Sequence, residues 1–185
     1  PPPPPPPPFF FQAEDGIRAH CVTGVSDVCS SDLISDSSLL TATFEVPYKP
    51  GELKAIALEN GNQIATVSLI TAGKPAGIRM KPDKVEIKAG KNDLSFVSVE
   101  VIDEKGNIVP NATIPVEFSV SGNGKIIAAG NANPSGVESF QDMMSNTFRG
   151  QCLVILQPEK SAGYIGLTAR AQGLKPAKII VKTKK

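Results

Sequence analysis

The clearest alternation of hydrophobic and polar positions in this chain lies between residues 92 and 121. Two sets of apolar residues recur there at every second position, namely Val97, Val99 and Val101, then Val116, Phe118 and Val120. A period of two is the pattern of a β-strand that buries one face and exposes the other. The segment 103–107 between the two sets is charged and contains a glycine, which is typical of a turn. The pattern therefore predicts two strands of a β-sandwich.

Short apolar runs separated by Gly, Pro and Asn continue to the end of the chain. They predict further strands at 78–80, 85–89, 125–129, 151–157, 164–171 and 177–183. The run 151–157 is apolar on both faces and predicts a central strand, whereas Lys178 and Lys182 predict that the last strand is a protected sheet edge. About seven short strands with turns between them are typical of an immunoglobulin-like β-sandwich. The predicted fold class is therefore all-β, with one such domain at 77–183.

A smaller group of strands precedes this domain. Residues 39–46, 52–59 and 63–70 have the composition of strands, and Asn60-Gly61 between the last two is a strong hairpin signal. Three strands have no second layer to cover them and rarely form an independent domain. We therefore predict that 34–73 is the three-stranded remnant of a truncated β-domain, followed by a short linker that ends at Ala76.

The first 33 residues are unlike the rest of the chain. A run of eight prolines is followed by Phe9–Phe11, which is shorter than the apolar segment of a signal peptide and has no basic residue before it. Back-translation of residues 12–33 gives three consecutive blocks of an Illumina-type sequencing adapter, the last after a one-base frame slip. We therefore expect 1–33 to be an adapter-derived artefact and disordered. The alternative is a natural disordered leader.

The positions of His and Cys in the sequence exclude several kinds of metal, disulfide and catalytic site. His20 is the only histidine, and it lies in the leader together with Cys21 and Cys29. The rest of the chain holds one cysteine, Cys152, in an apolar run that is typical of a buried strand. A disulfide framework and a histidine-containing zinc site or catalytic triad are therefore excluded. No metal site and no cofactor is predicted.

Charge and hydropathy narrow the possible partners. The formal net charge is +1, and the basic residues are spread over many strands with one small cluster that ends at Lys185. A nucleic-acid surface is usually a concentrated basic patch that includes aromatic residues, so no nucleic-acid partner is predicted. No apolar run approaches the ~20 residues that a membrane span needs.

Several short motifs extend over both groups of strands. Residues 44–55 (FEVPYKPGELKA) and 71–76 (TAGKPA) are similar to the end of the small β-domain found late in bacterial glycoside hydrolase family 2 enzymes. The next module resembles the extra C-terminal Ig-like domain of that family. The motifs that carry this second resemblance are NDLSFV at 92–97, VEVID at 99–103, GNANP at 130–134, ESFQ at 138–141 and FRGQCLV at 148–154. Together the two resemblances cover about 39–183 in the same order.

The resemblance implies a parent enzyme of β-galactosidase type that hydrolyses plant or host glycans and is secreted or periplasmic. The chemistry of the family uses two glutamates on a TIM barrel, which would precede residue 34, so no catalytic residue is carried over to this chain. The expected partner is that catalytic domain, and a glycan would be reached only through the parent. Glu100, Asp103 and Glu104 occupy an outward strand position and a turn, which predicts a solvated face rather than an acid pair.

One long segment without periodicity, 130–148, is predicted to be a loop. Loops of this length in a compact domain are often functional. Its candidate interdomain-contact residues are Asn131, Asn133, Glu138, Phe140, Gln141 and Asp142. Docking against the parent enzyme, a plain surface loop and direct binding of a sugar or an ion all remain open, although calcium sites usually have more carboxylates.

Two other functions compete with an accessory role. A bacterial Ig-like adhesion or surface module has similar strand patterning, but an adhesin should repeat the module in tandem, and this chain has one complete copy. A carbohydrate-binding module usually stacks sugars on exposed Trp or Tyr, and this chain has no Trp and only Tyr48 and Tyr164. The predicted function is therefore that of non-catalytic C-terminal accessory domains of a family 2 glycoside hydrolase.

Overall fold

The computed structural model describes residues 11–12, 17–23, 27–29, 41–42, 46–59, 62–90 and 93–185. These residues form strands and turns without a helix, so the fold is all-β as predicted. The chain divides into two compact units, Pro1–Thr71 and Ala72–Lys185. The predicted hairpin turn at Asn60-Gly61 lies outside the described residues.

The described part of the first unit consists of short strands and one antiparallel sheet. Its strands are β1 (Phe11–Gln12), β2 (Ile17–Thr23), β3 (Asp27–Cys29), β4 (Thr41–Ala42), β5 (Glu52–Glu59) and β6 (Asn62–Ile70). β1 pairs with β4, and the other strands form a sheet in the order β3-β2-β5-β6. β5 and β6 agree with two of the predicted strands. Of the strand predicted at 39–46, β4 is a described part, and residues 39–40 and 43–45 lie outside the described residues.

The pairing of β2 differs from the expectation of a disordered leader. β2 runs antiparallel to β5, with Ile17 opposite Glu59 and Thr23 opposite Leu53. A strand with a free edge offers unpaired N–H and C=O groups to any segment of suitable pattern. Residues 17–20 have such a pattern, because apolar and polar residues alternate along them. The structure thus has residues 17–23 and 27–29 in strands. The adapter origin of 1–33 and the disorder expected for it stay predictions.

The second unit is a β-sandwich of two sheets. Its strands are β7 (Gly77–Pro82), β8 (Glu86–Lys88), β9 (Ser95–Ile102), β10 (Pro115–Gly122), β11 (Gly124–Gly130), β12 (Met144–Asn146), β13 (Gln151–Pro158), β14 (Gly163–Arg170) and β15 (Ala177–Lys184). One sheet has the order β11-β13-β9-β7 and the other the order β12-β10-β14-β15-β8. β13 lies between two strands, as its apolar character on both faces predicts.

The last strand is not the sheet edge that its lysines predict. β7 and β8 follow one another along the chain but belong to different sheets. β8 then pairs in parallel with β15, where Glu86 lies opposite Lys182. Lys178 and Lys182 are exposed, so the direction of these side chains was predicted correctly and their role as edge protection was not. The alternation of apolar and polar residues indicates which face of a strand is exposed to solvent. It does not indicate whether another strand pairs with its edge.

The core lies between the two sheets and contains the alternating residues that the sequence singles out. Its fully buried members include Val97, Val99, Val116, Val154, Leu156, Ile165, Leu167 and Val181. Burying an aliphatic side chain of this size contributes about 1.5–3 kcal/mol. A second, smaller cluster consists of Val101, Val109 and Ala112, with Ala72, Ile114 and Leu174 packed against it.

A tight turn positions the central strand β13. Arg149 and Gly150 have positive φ angles of 52° and 76°, and Phe148 and Gln151 exchange backbone hydrogen bonds across them. Two central residues with positive φ are the mark of a type I′ hairpin turn, whose twist matches that of paired strands. A side chain at position 150 would clash with the carbonyl oxygen of Val109. The FRGQ motif therefore needs its glycine for both backbone conformation and space.

Candidate functional site

The loop 130–148 is built largely on its own polar side chains. Asn131 Nδ2 donates a hydrogen bond to the carbonyl oxygen of Asn146 at 2.8 Å, while Asn131 Oδ1 accepts one from the backbone N–H of Asn133 at 2.9 Å. Asn133 Oδ1 accepts a hydrogen bond from the backbone N–H of Ser135 at 3.1 Å. The two bonds accepted by Asn131 Oδ1 and Asn133 Oδ1 are those of Asx turns, so the two asparagines shape the loop.

Glu138 fastens the loop to the short strand β12. Its Oε1 accepts a hydrogen bond from Asn146 Nδ2 at 2.5 Å, and its Oε2 accepts one from the Asn146 backbone N–H at 3.2 Å. Both bonds favour the charged carboxylate, so the pKa of Glu138 lies below its ordinary value, with the Asn146 side chain as the largest cause. β12 itself pairs with β10. A strand of this length has no measurable period, which is why the sequence pattern missed it.

The aromatic ring of Phe140 lies over Gly130. A Cβ atom at position 130 would collide with Phe140 Cδ1 and Cε1, so the glycine leaves room for the ring. Gly130 lies opposite Leu153 in the β11–β13 pair, and directly opposite residues share one face of a sheet. That face is the outer one, because Cys152 and Val154 on either side of Leu153 belong to the core. The ring of Phe140, which stays 63% exposed, therefore covers the outer face of the four-stranded sheet.

Apolar side chains of neighbouring strands extend this surface. Ile155 lies opposite Ala128 on one side and opposite Phe96 on the other, and all three lie on the same outer face. Phe96 is 41% exposed, and Leu153 is exposed as well. We call the residues Phe96, Ala128, Phe140, Leu153 and Ile155 the outer-face patch. Exposed apolar groups that lie together on one surface mark interaction sites.

The two remaining predicted contact residues, Gln141 and Asp142, are exposed. Gln141 and Asp142 bond through their backbone N–H groups to the hydroxyl and the carbonyl oxygen of Ser139. Apolar side chains of the same loop are also exposed, namely Val137, Met143 and Met144. Of the predicted contact residues, Phe140 is thus the one that joins a larger surface. The sequence signal that could have revealed the rest of that surface is the doubly apolar strand 151–157.

Glu100 is buried, contrary to the predicted solvated face. It lies on the outer face but is only 6% exposed. Arg79, directly opposite on β7, donates a hydrogen bond from Nε to Glu100 Oε2 at 2.6 Å, and Lys81 Nζ donates one to Oε1 at 3.3 Å. Arg79 Nη1 also donates to the carbonyl oxygen of Gly106 at 2.8 Å. The prediction failed because long basic side chains of the neighbouring strand cover the carboxylate.

Asp103 is a second acid whose predicted exposure is wrong, since it is only 5% exposed. Its carboxylate accepts hydrogen bonds from the backbone N–H groups of Gly73, Lys105 and Asn107, and from Asn107 Nδ2, at 2.8–3.1 Å. These bonds lower the pKa of Asp103 to about 2, and the bond from Gly73 is the largest cause. Glu104, the third acid, is exposed as predicted.

Residues 72–76, predicted to be a linker, are bonded to the sandwich. Besides the bond from Gly73 to Asp103, the Ala76 N–H donates to the carbonyl oxygen of Ile102 at 2.8 Å. The Ala76 carbonyl oxygen accepts a hydrogen bond from the Lys175 N–H at 3.0 Å. The segment is therefore an integral part of the second unit.

Cys152 is a core residue, as predicted. Burial is the largest cause that raises the pKa of its thiol, to about 12, and the negative charge of Glu138 adds to the effect. Within the described residues, no three His, Cys, Asp or Glu side chains are grouped closely enough to hold a metal ion. The described part of the chain contains no helix long and apolar enough to cross a membrane.

Two family models match the sequence. The model described as glycoside hydrolase family 2 C-terminal domain 5 matches residues 78–180, which is more than half of the chain. A model described as a domain of unknown function, DUF4982, matches residues 30–65. The two matches lie in the second and the first unit, respectively.

Individual relatives agree with the family match. The β-galactosidase BoGH2A of Bacteroides ovatus is 44% identical over 142 residues, which are 77% of this chain and 17% of that protein. A β-galactosidase of Thermoanaerobacter pseudethanolicus is 32% identical over 141 residues, 76% of this chain and 17% of that protein. The chain thus spans only a small part of the length of these curated relatives.

A solved structure shares the fold as well. The crystal structure of a glycosyl hydrolase family 2 member from Bacteroides cellulosilyticus superimposes with a TM-score of 0.85 at 34% sequence identity, covering 92% of this chain and 22% of that one. The fold, the sequence relatives and the family model all lead to the same assignment. This chain belongs to the glycoside hydrolase family 2 C-terminal domain 5 family.

Proposed function

We propose that this chain forms the non-catalytic accessory domains of a glycoside hydrolase family 2 enzyme of β-galactosidase type, which acts in carbohydrate metabolism. The observation that carries the proposal is the match of residues 78–180 to a C-terminal domain of that family. The two β-galactosidase relatives support the named activity for the parent. We further propose that the parent is secreted or periplasmic and that a glycan is bound by its catalytic domain.

The partners of the buried acids support a non-catalytic role. Glycoside hydrolysis by two carboxyl groups requires a gap between them, about 5–5.5 Å in retaining enzymes and about 6.5–9.5 Å in inverting ones, with the sugar in that gap. Glu100 is instead held by Arg79 and Lys81. Asp103 accepts four hydrogen bonds from its own turn and from Gly73. Both acids are therefore structural residues, whose carboxylates are occupied by hydrogen bonds within the sandwich.

The outer-face patch is the surface that we propose to dock on the catalytic domain. Interface centres are typically apolar and depleted in charge, with aromatic residues enriched. The patch matches this description, because Phe96 and Phe140 lie on it beside Leu153 and Ile155. In the curated relatives, most of the polypeptide lies outside the matched segment, so a larger body is tethered to the equivalent module.

The absence of activity is tested directly on the purified chain. Incubation with chromogenic galactosides should give no turnover above that of a buffer control. The matched control is the same assay with the Glu100→Gln variant, which should give the same background. Turnover that a point substitution within 77–183 abolishes would overturn the proposal.

The parent enzyme is tested by reading the coding DNA upstream of Ile34. A TIM-barrel reading frame would support the accessory role, and tandem sandwich repeats would favour an adhesion module instead. If the barrel is present, docking is tested in the joined polypeptide with Phe140→Ser. We expect this substitution to lower the midpoint of thermal inactivation, whereas Val85→Ser, at an exposed position between β7 and β8, should not.

A further inference from the structure

Strand β6 has a free edge. β6 is the last strand of the sheet β3-β2-β5-β6, and among the described residues no strand pairs with its other side. All nine of its residues are exposed. Within the part of the chain that the structure describes, its outward N–H and C=O groups have no strand partner and can pair with another strand.

The composition of β6 leaves this edge unprotected. Its sequence, NQIATVSLI, contains no charged residue, no proline and no glycine. Natural proteins block free edges with lysines, prolines, bulges or very short strands. A charge-free segment of this length with several β-branched residues has the composition of strands that associate between chains.

The other described edge strands all carry such protection. β1 and β4 are two residues long, and β3, β8 and β12 are each three residues long. β7 contains Arg79, Lys81 and Pro82, while β11 contains Lys125 and has its Ala129 N–H bonded to the Phe140 carbonyl oxygen. β6 has one irregularity, at Ile64, where its pairing with β5 shifts register. Its regular part, residues 65–70, is therefore the exception among the edges that the structure describes.

The face that β6 shares with β5 is apolar over the regularly paired part, which ends at the register shift after Ala57. The opposite pairs on this face are Leu53 with Leu69, Ala55 with Val67, and Ala57 with Ala65. The other face contains Ser68 opposite Lys54 and Thr66 opposite Ile56. Edge pairing and stacking of the apolar face are thus two separate modes of association, and they involve different side chains.

We propose that β6 is a self-association edge, at which β6 of one copy pairs antiparallel with β6 of a second copy. Two identical strands are complementary to each other about a two-fold axis, because each N–H can meet a C=O of the partner. Since β6 has no charge, no alignment of the two strands places like charges opposite each other. An alignment centred on Thr66 also pairs Thr66 with its own copy, a favourable cross-strand pair. This inference stands independently of the proposed enzyme.

The test measures the association state of the full chain by sedimentation velocity over a wide range of concentration. The wild-type chain should form a dimer, and Thr66→Lys should weaken its association about tenfold or more, because a central lysine meets its own copy across the axis. Ile180→Lys is the matched control, since it adds the same charge at an exposed position of β15, which is not an edge. Its dimer should be as stable as that of the wild type.

Hydrogen exchange reports on the edge itself and also shows that the variants are folded. In the wild type, amides of 62–70 should exchange more slowly as concentration rises, and in Thr66→Lys they should not. Amides of 95–102 should be equally protected in both chains. A monomer at every concentration would overturn the proposal. So would association that survives Thr66→Lys but is lost in Leu69→Ser, because that result means face stacking.

Discussion

The carboxylate of Asp103 accepts a hydrogen bond from the backbone N–H of Gly73, 30 residues earlier in the chain, at 2.8 Å. The same carboxylate closes its own turn by accepting bonds from the N–H groups of Lys105 and Asn107. One buried acid thus joins the segment that enters the sandwich to the turn that follows β9. The Asp103 carboxylate connects the two segments because it accepts several hydrogen bonds at once.

A fall in pH should therefore lower the stability of the sandwich, because it protonates Asp103. Its pKa in the folded state is about 2, below the ordinary aspartate value of 3.8, so folding favours the charged form. The resulting stability is fully present above about pH 4 and is lost as the pH falls through about 2. Urea unfolding between these values should show a steeper loss of stability in the wild type than in Asp103→Asn.

Glu104→Gln is the matched control, because Glu104 lies on the same turn but is exposed. Its stability should follow the wild-type dependence on pH. A variant Asp103→Asn with the same acid sensitivity as the wild type would contradict the assigned role.

Gly150→Ala should destabilise the sandwich strongly. The position has a φ of 76°, and an added Cβ would clash with the Val109 carbonyl oxygen. Strain of this kind costs about 1–3 kcal/mol before the clash is added. Gly173→Ala is the control, since Gly173 has a similar φ of 77° but open space around it, so it should lose only about 1–2 kcal/mol. Thermal unfolding measures the stability of both variants. Equal losses of stability would contradict the prediction, because they would show that the clash at position 150 is relieved without a cost in free energy.

The two units should differ in local stability. β6 is exposed along its whole length and the described side chains of β5 are only partly buried, whereas β9, β13 and β14 supply fully buried core residues. Amides buried in a packed core open only with large free energies. Hydrogen exchange should therefore be fast for 52–70 and slow for 95–102, 152–158 and 163–170. Equal protection would contradict the prediction that 34–73 is a truncated remnant.

Removal of residues 1–33 should leave the sandwich unchanged. The strand pairs of β2 are with β3 and β5, all within the first unit. A chain that starts at Ile34 should therefore keep the unfolding midpoint of 77–183 and lose protection at amides of β5. A loss above about 1 kcal/mol in the second unit, which shifts the midpoint by several degrees, would show that the leader supports the sandwich.

Much of the fold follows from local patterning. Alternate residues such as Ile165, Leu167 and Ala169 were assigned correctly to the core, because a strand places every second side chain on the same face. The central position of β13 followed from its two apolar faces. Cys152 was correctly placed inside for the same reason. In each case the residue pattern of a single strand was sufficient for the prediction.

The features that the sequence did not predict depend on residues that are distant in the chain but adjacent in the folded structure. The sequence by itself determined the all-β class, most of the strands and the side of each strand that faces the core. Only the tertiary structure decided that Arg79 covers Glu100, that Gly73 reaches Asp103 and that Phe140 lies over Gly130. It also decided that β8 lies beside β15. The physical reason is that alternation is a property of a single strand, whereas burial of a charge and occupation of an edge depend on groups brought together from distant parts of the chain.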